Sequence, residues 1–255
     1  MDRLSFVALH SILEETLSRE QLNNELANLS TIGFKRTFAN VSKGIKITGP
    51  GFDSRVEPTN LRNERVSLAP GIRMVSGNPL DIAMNDSTVL GVTASNGELA
   101  FTRRGDMRVN SAGQLQLATG EAVRGQNGVV NVPTGYVIEI AGDGSVYANT
   151  LDTSKPAAPV LLGRLLLRDA SEATLKRRAD GLLTPEGNKD ADGGDIQNGK
   201  IVPSIISGAL EGSSVSAIDS MVRLLDFTRN FEMRMKLIKE ANNLDTAGTS
   251  MIKSA

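Results

Sequence analysis

The sequence of 255 residues contains no cysteine, and this absence excludes several kinds of chemistry. Without thiols the chain has no disulfide bond, no cysteine nucleophile, no thiolate metal site and no iron–sulfur cluster. It has a single histidine, His10, which stands next to Leu9 and has no second ligand or relay partner in the sequence. We therefore expect His10 to be a structural residue on the face of a helix.

Aromatic residues and an excess of one charge are also scarce. Tryptophan is absent and tyrosine occurs twice, so there are few of the stacking surfaces that usually bind sugars and bases. The formal net charge is −1 with acidic and basic residues interspersed, which argues against a nucleic-acid partner. No apolar run approaches the roughly 20 residues that span a bilayer, and the first residues do not resemble a cleaved secretory signal.

Two short segments have the spacing of a ligand loop or a nucleophile motif, and neither predicts a site. The acidic loop 190–195 fails the calcium-loop pattern, because Gly194 and Ile201 stand where an EF-hand needs ligands. Ser250 and Lys253 have the S-x-x-K spacing of some serine enzymes but lack the partner motifs. The sequence thus predicts no catalytic residue, no metal site, no cofactor and no small-molecule substrate, and the protein is not expected to be an enzyme.

The longest regular feature is an apolar stripe from residue 216 to about residue 252. Ser216 and Asp219 give a capping box at its start. A helix of this length, roughly 50 Å, needs another helix to cover its stripe. The residues of the stripe recur at steps of three, four or seven, as one face of an α-helix requires: Met221, Leu224, Phe231, Met235, Ile238, Ala241 and Leu244.

Residues 3 to about 30 predict the second helix. Gly33 suits the position just after the last helical turn. The apolar stripe of this helix is formed by Phe6, Leu9, Leu13, Leu17, Leu22, Leu26 and Leu29.

Between the helices the pattern changes from irregular to β. Residues 34–76 are interrupted by Gly, Pro and Asn and predict an extended connector with short strands. Residues 77–205 predict short strands joined by tight turns, as at Asn96-Gly97, Ala112-Gly113, Thr119-Gly120, Asn127-Gly128 and Asp143-Gly144. The fold class predicted is α+β, with long N- and C-terminal helices in a coiled-coil-like layer and a central, mainly antiparallel β domain. The predicted divisions are 1–33, 34–76, 77–205 and 206–255.

Seven short motifs follow one another in a fixed order along the chain. They run from Asn24 to Lys35, Gly77 to Ala83, Phe101 to Met107, Asn110 to Leu115, Ile140 to Val146, Gly208 to Val215, and Phe231 to Lys239. In that order they resemble the motifs of bacterial flagellar rod and hook proteins, whose first motif reads approximately ANNLANxxTxGFK and whose third reads YTRNG(N/D)F.

The chain departs from this pattern in places. Asn23 and Glu25 stand where the first motif has Ala and Asn, Arg104 replaces an Asn, and residues 86–90 differ from the usual G(D)GFF. The segment from Phe231 to Lys239 resembles that of the proximal-rod members of the family rather than that of the distal-rod members.

The resemblance implies a structural subunit of the flagellar basal-body rod, in its proximal part, that polymerises into a tubular drive shaft enclosing the export channel. The implied partners are copies of the same chain, other rod proteins, the flagellar export apparatus and the ring around the rod. The implied location is the periplasmic rod, reached through the flagellar type III export apparatus without a cleaved signal. The implied assembly interface comprises Leu9, Leu13, Leu17, Leu26, Asn28, Gly33, Phe34, Met221, Leu224, Phe231, Met235 and Ile238.

Several alternatives stay open at this stage. The two terminal helices could pair only with each other on one β domain, as in an ordinary α+β protein. The chain could be a distal rod protein of the same family, or a soluble module whose β domain binds a small ligand or a peptide. An enzyme that cleaves the cell wall is a further alternative.

Overall fold

The computed structural model describes residues 2–38, 41–47, 55–61, 65–150, 158–186 and 194–253, with the side chains of residues 12, 15–38, 46, 65–150, 158–186 and 194–251. These residues form two helices and eighteen strands, and the paired strands in them are antiparallel. The α+β class and the mainly antiparallel β structure predicted from the sequence are therefore confirmed.

The chain divides into two compact units. Unit 1 contains the helices α1 (Asp2–Ala27) and α2 (Ala217–Lys253) and a hairpin of β1 (Val41–Ile47) and β2 (Arg55–Leu61). In this unit α1 contacts both α2 and β2. Unit 2 contains residues 28–38 and all the later strands.

The strands of unit 2 are short and follow one another closely. Their bounds are β3 (Arg73–Val75), β4 (Ile82–Met84), β5 (Thr88–Thr93), β6 (Leu99–Thr102), β7 (Met107–Val109), β8 (Leu115–Leu117), β9 (Ala122–Gly125), β10 (Gly128–Val129), β11 (Tyr136–Ile140), β12 (Ser145–Thr150), β13 (Val160–Arg164), β14 (Leu167–Asp169), β15 (Leu175–Arg177), β16 (Leu183–Pro185), β17 (Ile205–Ser207) and β18 (Ala209–Glu211).

One sheet dominates unit 2. Seven of its strands lie in the order β15-β16-β6-β5-β9-β8-β7, with β10 added to β9 and β14 added to β5. The strands β11, β12 and β13 form a second sheet, and the pairs β17–β4 and β18–β3 are separate. Strand β6 is buried along its whole length, so its residues lie in the core on both faces of the sheet.

The tight turns predicted from the sequence are all present. Four of the five dipeptides lie between two consecutive strands that pair with each other, and Asn127-Gly128 lies at the turn from β9 to β10, with Gly128 as the first residue of β10. Gly97 shows the reason, because its φ of 85° is a left-handed conformation that residues with a side chain rarely adopt. Local turn chemistry therefore determines this part of the fold.

The ends of the helices differ in how well the sequence predicts them. At the start of α2 the Ser216 hydroxyl accepts a hydrogen bond from the Asp219 amide at 3.3 Å, as predicted. Helix α1 ends at Ala27, before the predicted end near residue 30, and Thr31 bonds to both the carbonyl and the side chain of Asn28. Gly33, with a φ of 68°, is therefore not the cap of this helix.

We expect Leu90→Ala to lower the free energy of unfolding of unit 2 by about 2–5 kcal/mol, because this fully buried leucine of β5 packs in the main core. Leu161→Ala makes the same change on β13 at a side chain that is 59% exposed, and should cost less than about 0.5 kcal/mol. Chemical denaturation of both variants measures the difference. Equal losses would contradict the core described above.

Candidate functional site

The two terminal helices contact each other in unit 1. Two ion pairs join them, from Glu25 to Arg223 at 3.2 Å and from Glu15 to Arg234 at 3.0 Å. The partner residues run in opposite order along the two helices, so the helices are antiparallel. Both carboxylates are largely buried while the arginines are about one-third exposed, so each arginine covers the acid of its partner helix.

The helix residues predicted from the sequence fall into two groups. Leu17, Leu26, Leu224 and Ile238 are half-buried in unit 1. Met221, Phe231 and Met235 are exposed by 58%, 45% and 47%, and are available to a partner. Leu9, Leu13 and His10 belong to α1, but their side chains lie outside the described residues.

Helix α2 is apolar on more than one face, which the prediction of a single stripe missed. Its buried and half-buried positions include Ser220, Leu224, Phe227, Ile238 and Ala241. At 100° per residue these positions form one face, and the predicted member Leu244 lies outside it. The other apolar residues of the helix are each more than half exposed and lie mostly on the far side: Ile218, Val222, Leu225, Met233, Leu237, Leu244 and Met251.

A second candidate site lies in unit 2, where residues 33–38, 65–72 and 211–214 come together. We call these three segments the junction. The Gly33 amide donates to the Glu211 carbonyl at 2.7 Å, and the Ser214 amide donates to the Phe34 carbonyl at 2.9 Å. The Phe38 amide donates to the Arg65 carbonyl at 2.8 Å. The chain therefore enters and leaves unit 2 through segments that are bonded to one another.

A buried cluster of three charges, Lys35, Arg103 and Glu211, lies at the junction. Each of these side chains is only 1% exposed. The Glu211 Oε1 atom accepts hydrogen bonds from Lys35 Nζ at 2.7 Å and from the Gly71 amide at 2.8 Å. The Oε2 atom accepts one from Arg103 Nε at 2.9 Å. Because ions are costly to bury without partners, this bonding is what allows the charges to lie in the interior.

The remaining donors of the two cations bond to backbone carbonyls. Lys35 Nζ also donates to the Ala69 carbonyl at 2.7 Å. The Arg103 guanidinium donates to the carbonyls of Met84, Asp86 and Thr88 at 2.7–3.1 Å. The cluster thus joins the junction to the loop between β4 and β5.

Glycines allow the backbones of the junction to approach closely. A Cβ atom on Gly33 would lie 2.5 Å from the Arg103 carbonyl, and one on Gly71 would lie 2.3 Å from the Gly212 carbonyl. The glycine of the G-F-K sequence is therefore required by this contact with β6 and its following turn, rather than by the end of α1.

The aromatic residue of the same motif is also in unit 2. The Phe34 side chain is buried, and the Arg177 guanidinium lies 4.2 Å from the centre of its ring. Arg177 also donates a hydrogen bond to the Lys35 carbonyl. Asn28, Gly33 and Phe34 therefore belong to unit 2, whereas the helix residues of the predicted interface belong to unit 1.

Positive charge is in excess in the cluster, because two cations share one carboxylate. Burial, and then the positive charge of Arg103, lower the pKa of Lys35 from 10.5 to about 8, against the opposing effect of Glu211. Burial likewise lowers the pKa of Arg103, while Glu211 raises it. Of the two cations, Lys35 therefore loses its proton more readily.

The motifs found in the sequence contain Lys35, Arg103 and Glu211, but the sequence patterns did not predict that the three residues form a site. Lys35, Arg103 and Glu211 each close or interrupt an apolar segment, as in Leu99-Ala100-Phe101-Thr102-Arg103. An ionisable residue at a position where the strand pattern predicts burial is the signal that points to such a cluster.

The described residues contain no group of three or more histidine, aspartate or glutamate side chains that could hold a metal ion. Of the acidic loop 190–195, the residues up to 193 lie outside the described part, and Asp195 pairs with Arg168 at 2.5 Å. Among the described helices, none has the length and apolar character needed to cross a membrane.

Comparison with known proteins places the chain among flagellar proteins. Residues 206–251 match the family model described as "Flagellar basal body rod FlgEFG protein C-terminal", and residues 84–148 match "Flagellar hook protein FlgE/F/G D1 domain". The flagellar basal-body rod protein FlgF of Escherichia coli is 32% identical over 97% of this chain and 96% of its own length. The corresponding protein of Salmonella typhimurium is 33% identical over 93% of each chain. A flagellar basal-body rod protein FlgG from Buchnera aphidicola is 27% identical over 88% of this chain and 89% of its own.

The lowered pKa of Lys35 predicts a pH-dependent stability. The folded protein has a pKa of about 8 at this lysine, below the 10.5 of the unfolded chain, so between these values the unfolded state binds more protons. The contribution of Lys35 to the free energy of unfolding therefore rises with pH in this window, by at most about 1.4 kcal/mol per pH unit.

Denaturation curves of the natural protein and of Lys35→Met between pH 7.5 and 10.5 test this expectation. The difference in free energy of unfolding between the two proteins should change in favour of the natural protein as the pH rises. A difference that stays constant, or that falls with pH, would show that the lysine keeps its proton in the folded protein.

Proposed function

The chain belongs to the flagellar basal-body rod protein family, and from this membership we propose that it is a structural subunit of the proximal part of the bacterial flagellar rod. The observation that carries the proposal is the identity of 32–33% to two FlgF proteins over nearly the whole of each chain. The segment from Phe231 to Lys239, which resembles proximal-rod sequences, supports the proximal position. The relatives are named as rod proteins, and we infer the same non-catalytic role for this chain.

The proposed mechanism is mechanical and depends on surfaces rather than on a reacting group. Subunits would polymerise into a tubular shaft that transmits torque and encloses the export channel. Helix α2 supports this view, because it exposes apolar residues beyond those covered by α1. An exposed apolar face on a helix that already packs on one side marks a surface where a second partner binds. We infer that this partner is the helical layer of neighbouring subunits, packed in a coiled-coil-like manner.

The proposed division of labour keeps the segments predicted from the sequence, although residues 28–33 and 206–215 belong to unit 2 and residues 39–63 to unit 1. We propose that segments 1–33 and 206–255 provide the assembly layer, that 34–76 connects it, and that the β domain of 77–205 faces neighbouring parts of the basal body. A contact that repeats head to tail without closing generates a helical filament, which is the symmetry a shaft needs. The proposed partners are copies of the chain, other rod proteins, the surrounding ring and the flagellar type III export apparatus, and the proposed location is the periplasm.

One alternative keeps some support. The 27% identity to a FlgG protein over most of both chains is compatible with a position elsewhere in the rod. A cleft of about 390 Å³ on the β domain is lined by Pro79, Leu80, Val109, Pro133 and Tyr136 among others, and is a candidate for the ligand site of a binding module. We infer that it serves subunit contacts rather than a small ligand, because its apolar lining is open at the surface.

We predict that the protein is found in purified basal bodies, on the rod close to the inner membrane. An epitope tag inserted after Asp192, in a strain that still swims, allows its position to be located by immunoelectron microscopy. Label nearer the outer rings would move the subunit to the distal rod. Absence of label from basal bodies that contain a complete rod would overturn the structural proposal.

We further predict that Met233→Asp prevents incorporation into the rod while the purified protein stays folded. The Met233 side chain is 58% exposed and lies on the face of α2 away from α1, so a charge there costs little in folding but would be buried in the assembled layer. Asn230→Asp introduces the same residue at a nearby exposed position and serves as the control. Basal-body content and circular dichroism give the two readouts, and normal swimming by the Met233→Asp strain would exclude this face of α2 from the assembly surface.

A further inference from the structure

The buried charge cluster does more than fill the interior of unit 2. We propose that Lys35, Arg103 and Glu211 make the junction a single rigid joint that opens and closes as one unit, and that this joint transmits force between the β domain and the segments leading to α1 and α2. The second part of this proposal rests on the proposed function as a rod subunit. The first part is a property of the isolated chain and stands without it.

The hydrogen bonds of Glu211 hold several segments of the chain at one point. Its two carboxylate oxygens reach three different parts of the chain, namely Lys35, the Gly71 amide and Arg103. Its backbone carbonyl accepts a further hydrogen bond, from the Gly33 amide. Movement of any one of these segments away from Glu211 therefore breaks a bond that also involves a buried charge.

Partial opening of the junction would cost much free energy, because it would leave a buried charge without its partner. Removing one partner of a buried ion pair leaves the other charge in the interior without compensation, which costs far more than the net gain from forming the pair. A cluster of this kind has no inexpensive half-open state, because each intermediate exposes or strands a charge. The segments held by the cluster should consequently separate together or not at all.

Further hydrogen bonds around the cluster join the same segments. The Arg36 amide donates to the Ser214 hydroxyl at 3.0 Å, and the Ser67 amide donates to the Arg36 carbonyl at 2.9 Å. The Phe38 amide donates to Arg65 at 2.8 Å. None of these bonds involves the three charged side chains, yet all connect the segments that the cluster holds. The hydrogen-exchange rates of such amides therefore show whether the joint opens as a whole.

The backbones at the junction are in close contact. At Gly33 and Gly71 there is no room even for a Cβ atom, so the segments cannot shift past one another without separating. The chain passes through the junction on its way from α1 into unit 2 and again on its way out to α2. Tension along the backbone from either helix therefore reaches the joint before it reaches the β sheet.

Native-state hydrogen exchange on the full-length purified chain tests the first part. In Glu211→Gln, the amides of Phe38, Ser67 and Ser214 should exchange on the order of 100-fold faster than in the natural protein, by similar factors. The amides of Leu117 and Ala141, which bond within hairpin turns away from the junction, should not change. Glu98→Gln makes the same substitution at a more exposed carboxylate paired with Arg178 and should leave all five amides unchanged.

Two results would contradict the proposal that the junction opens as one unit. Faster exchange confined to Gly71, whose amide bonds directly to the Glu211 side chain, would show a local contact only. An equal increase at Leu117 and Ala141 would show a general loss of stability without a separate joint. If Glu211→Gln does not fold, Lys35→Met is measured in the same way, since it keeps the Arg103–Glu211 pair.

Swimming against increasing viscosity tests the second part. A Lys35→Met strain should contain as many complete basal bodies as the natural strain, and its speed should fall more steeply as the medium is thickened, whereas a Glu98→Gln strain should behave as the natural one. Equal speeds at all viscosities would overturn the role in transmitting force, as would a variant that folds but is missing from basal bodies. Absence of the natural protein from basal bodies would instead overturn the proposed function and leave the exchange result standing.

Discussion

The carboxylate of Glu211, placed between Lys35 and Arg103, is the interaction on which the arrangement of unit 2 depends. A charge in the interior is tolerated only where every neighbouring donor and acceptor is in place. The segments around residues 33, 71, 86 and 211 must therefore each adopt one position, because another position would leave a buried ion without a partner.

The two units bury their apolar residues to different extents. The β domain buries its leucines, isoleucines and valines in two clusters formed within the single chain. Unit 1 leaves many apolar side chains of α2 in contact with solvent, although α1 covers one of its faces. The single chain therefore covers most apolar residues of the β domain but leaves those on one face of α2 exposed. We propose that neighbouring subunits cover this face on assembly, as expected in a family of rod proteins.

The sequence predicts local features of this fold well and long-range ones poorly. The five turn dipeptides and the Ser216 cap depend on neighbouring residues, and the structure places each where the sequence indicates. The end of α1 was predicted too late, since the Asn28 and Thr31 side chains form a turn in place of further helical bonds. The role of Gly33 depends on Arg103, about seventy positions away, and no pattern in the surrounding residues indicates it. The cluster of Lys35, Arg103 and Glu211 was missed because only the fold brings its three members together, although each is an ionisable residue within or beside an apolar segment.

The pairing of Phe38 with Arg65 has an evolutionary consequence. These residues are joined at 2.8 Å, and the adjacent residues Thr37 and Val66 form a further bridge, so the two ends of the intervening segment meet inside unit 2. The β1–β2 hairpin between them is therefore attached like an insertion, and its length has little effect on the closure of the ends, because the entropy of loop closure grows only slowly with length. Related chains can therefore gain or lose residues between positions 39 and 63 without altering the β domain. This segment is where we expect lineages to differ most in length, and where selection can adapt the subunit to different neighbours at the least cost to folding.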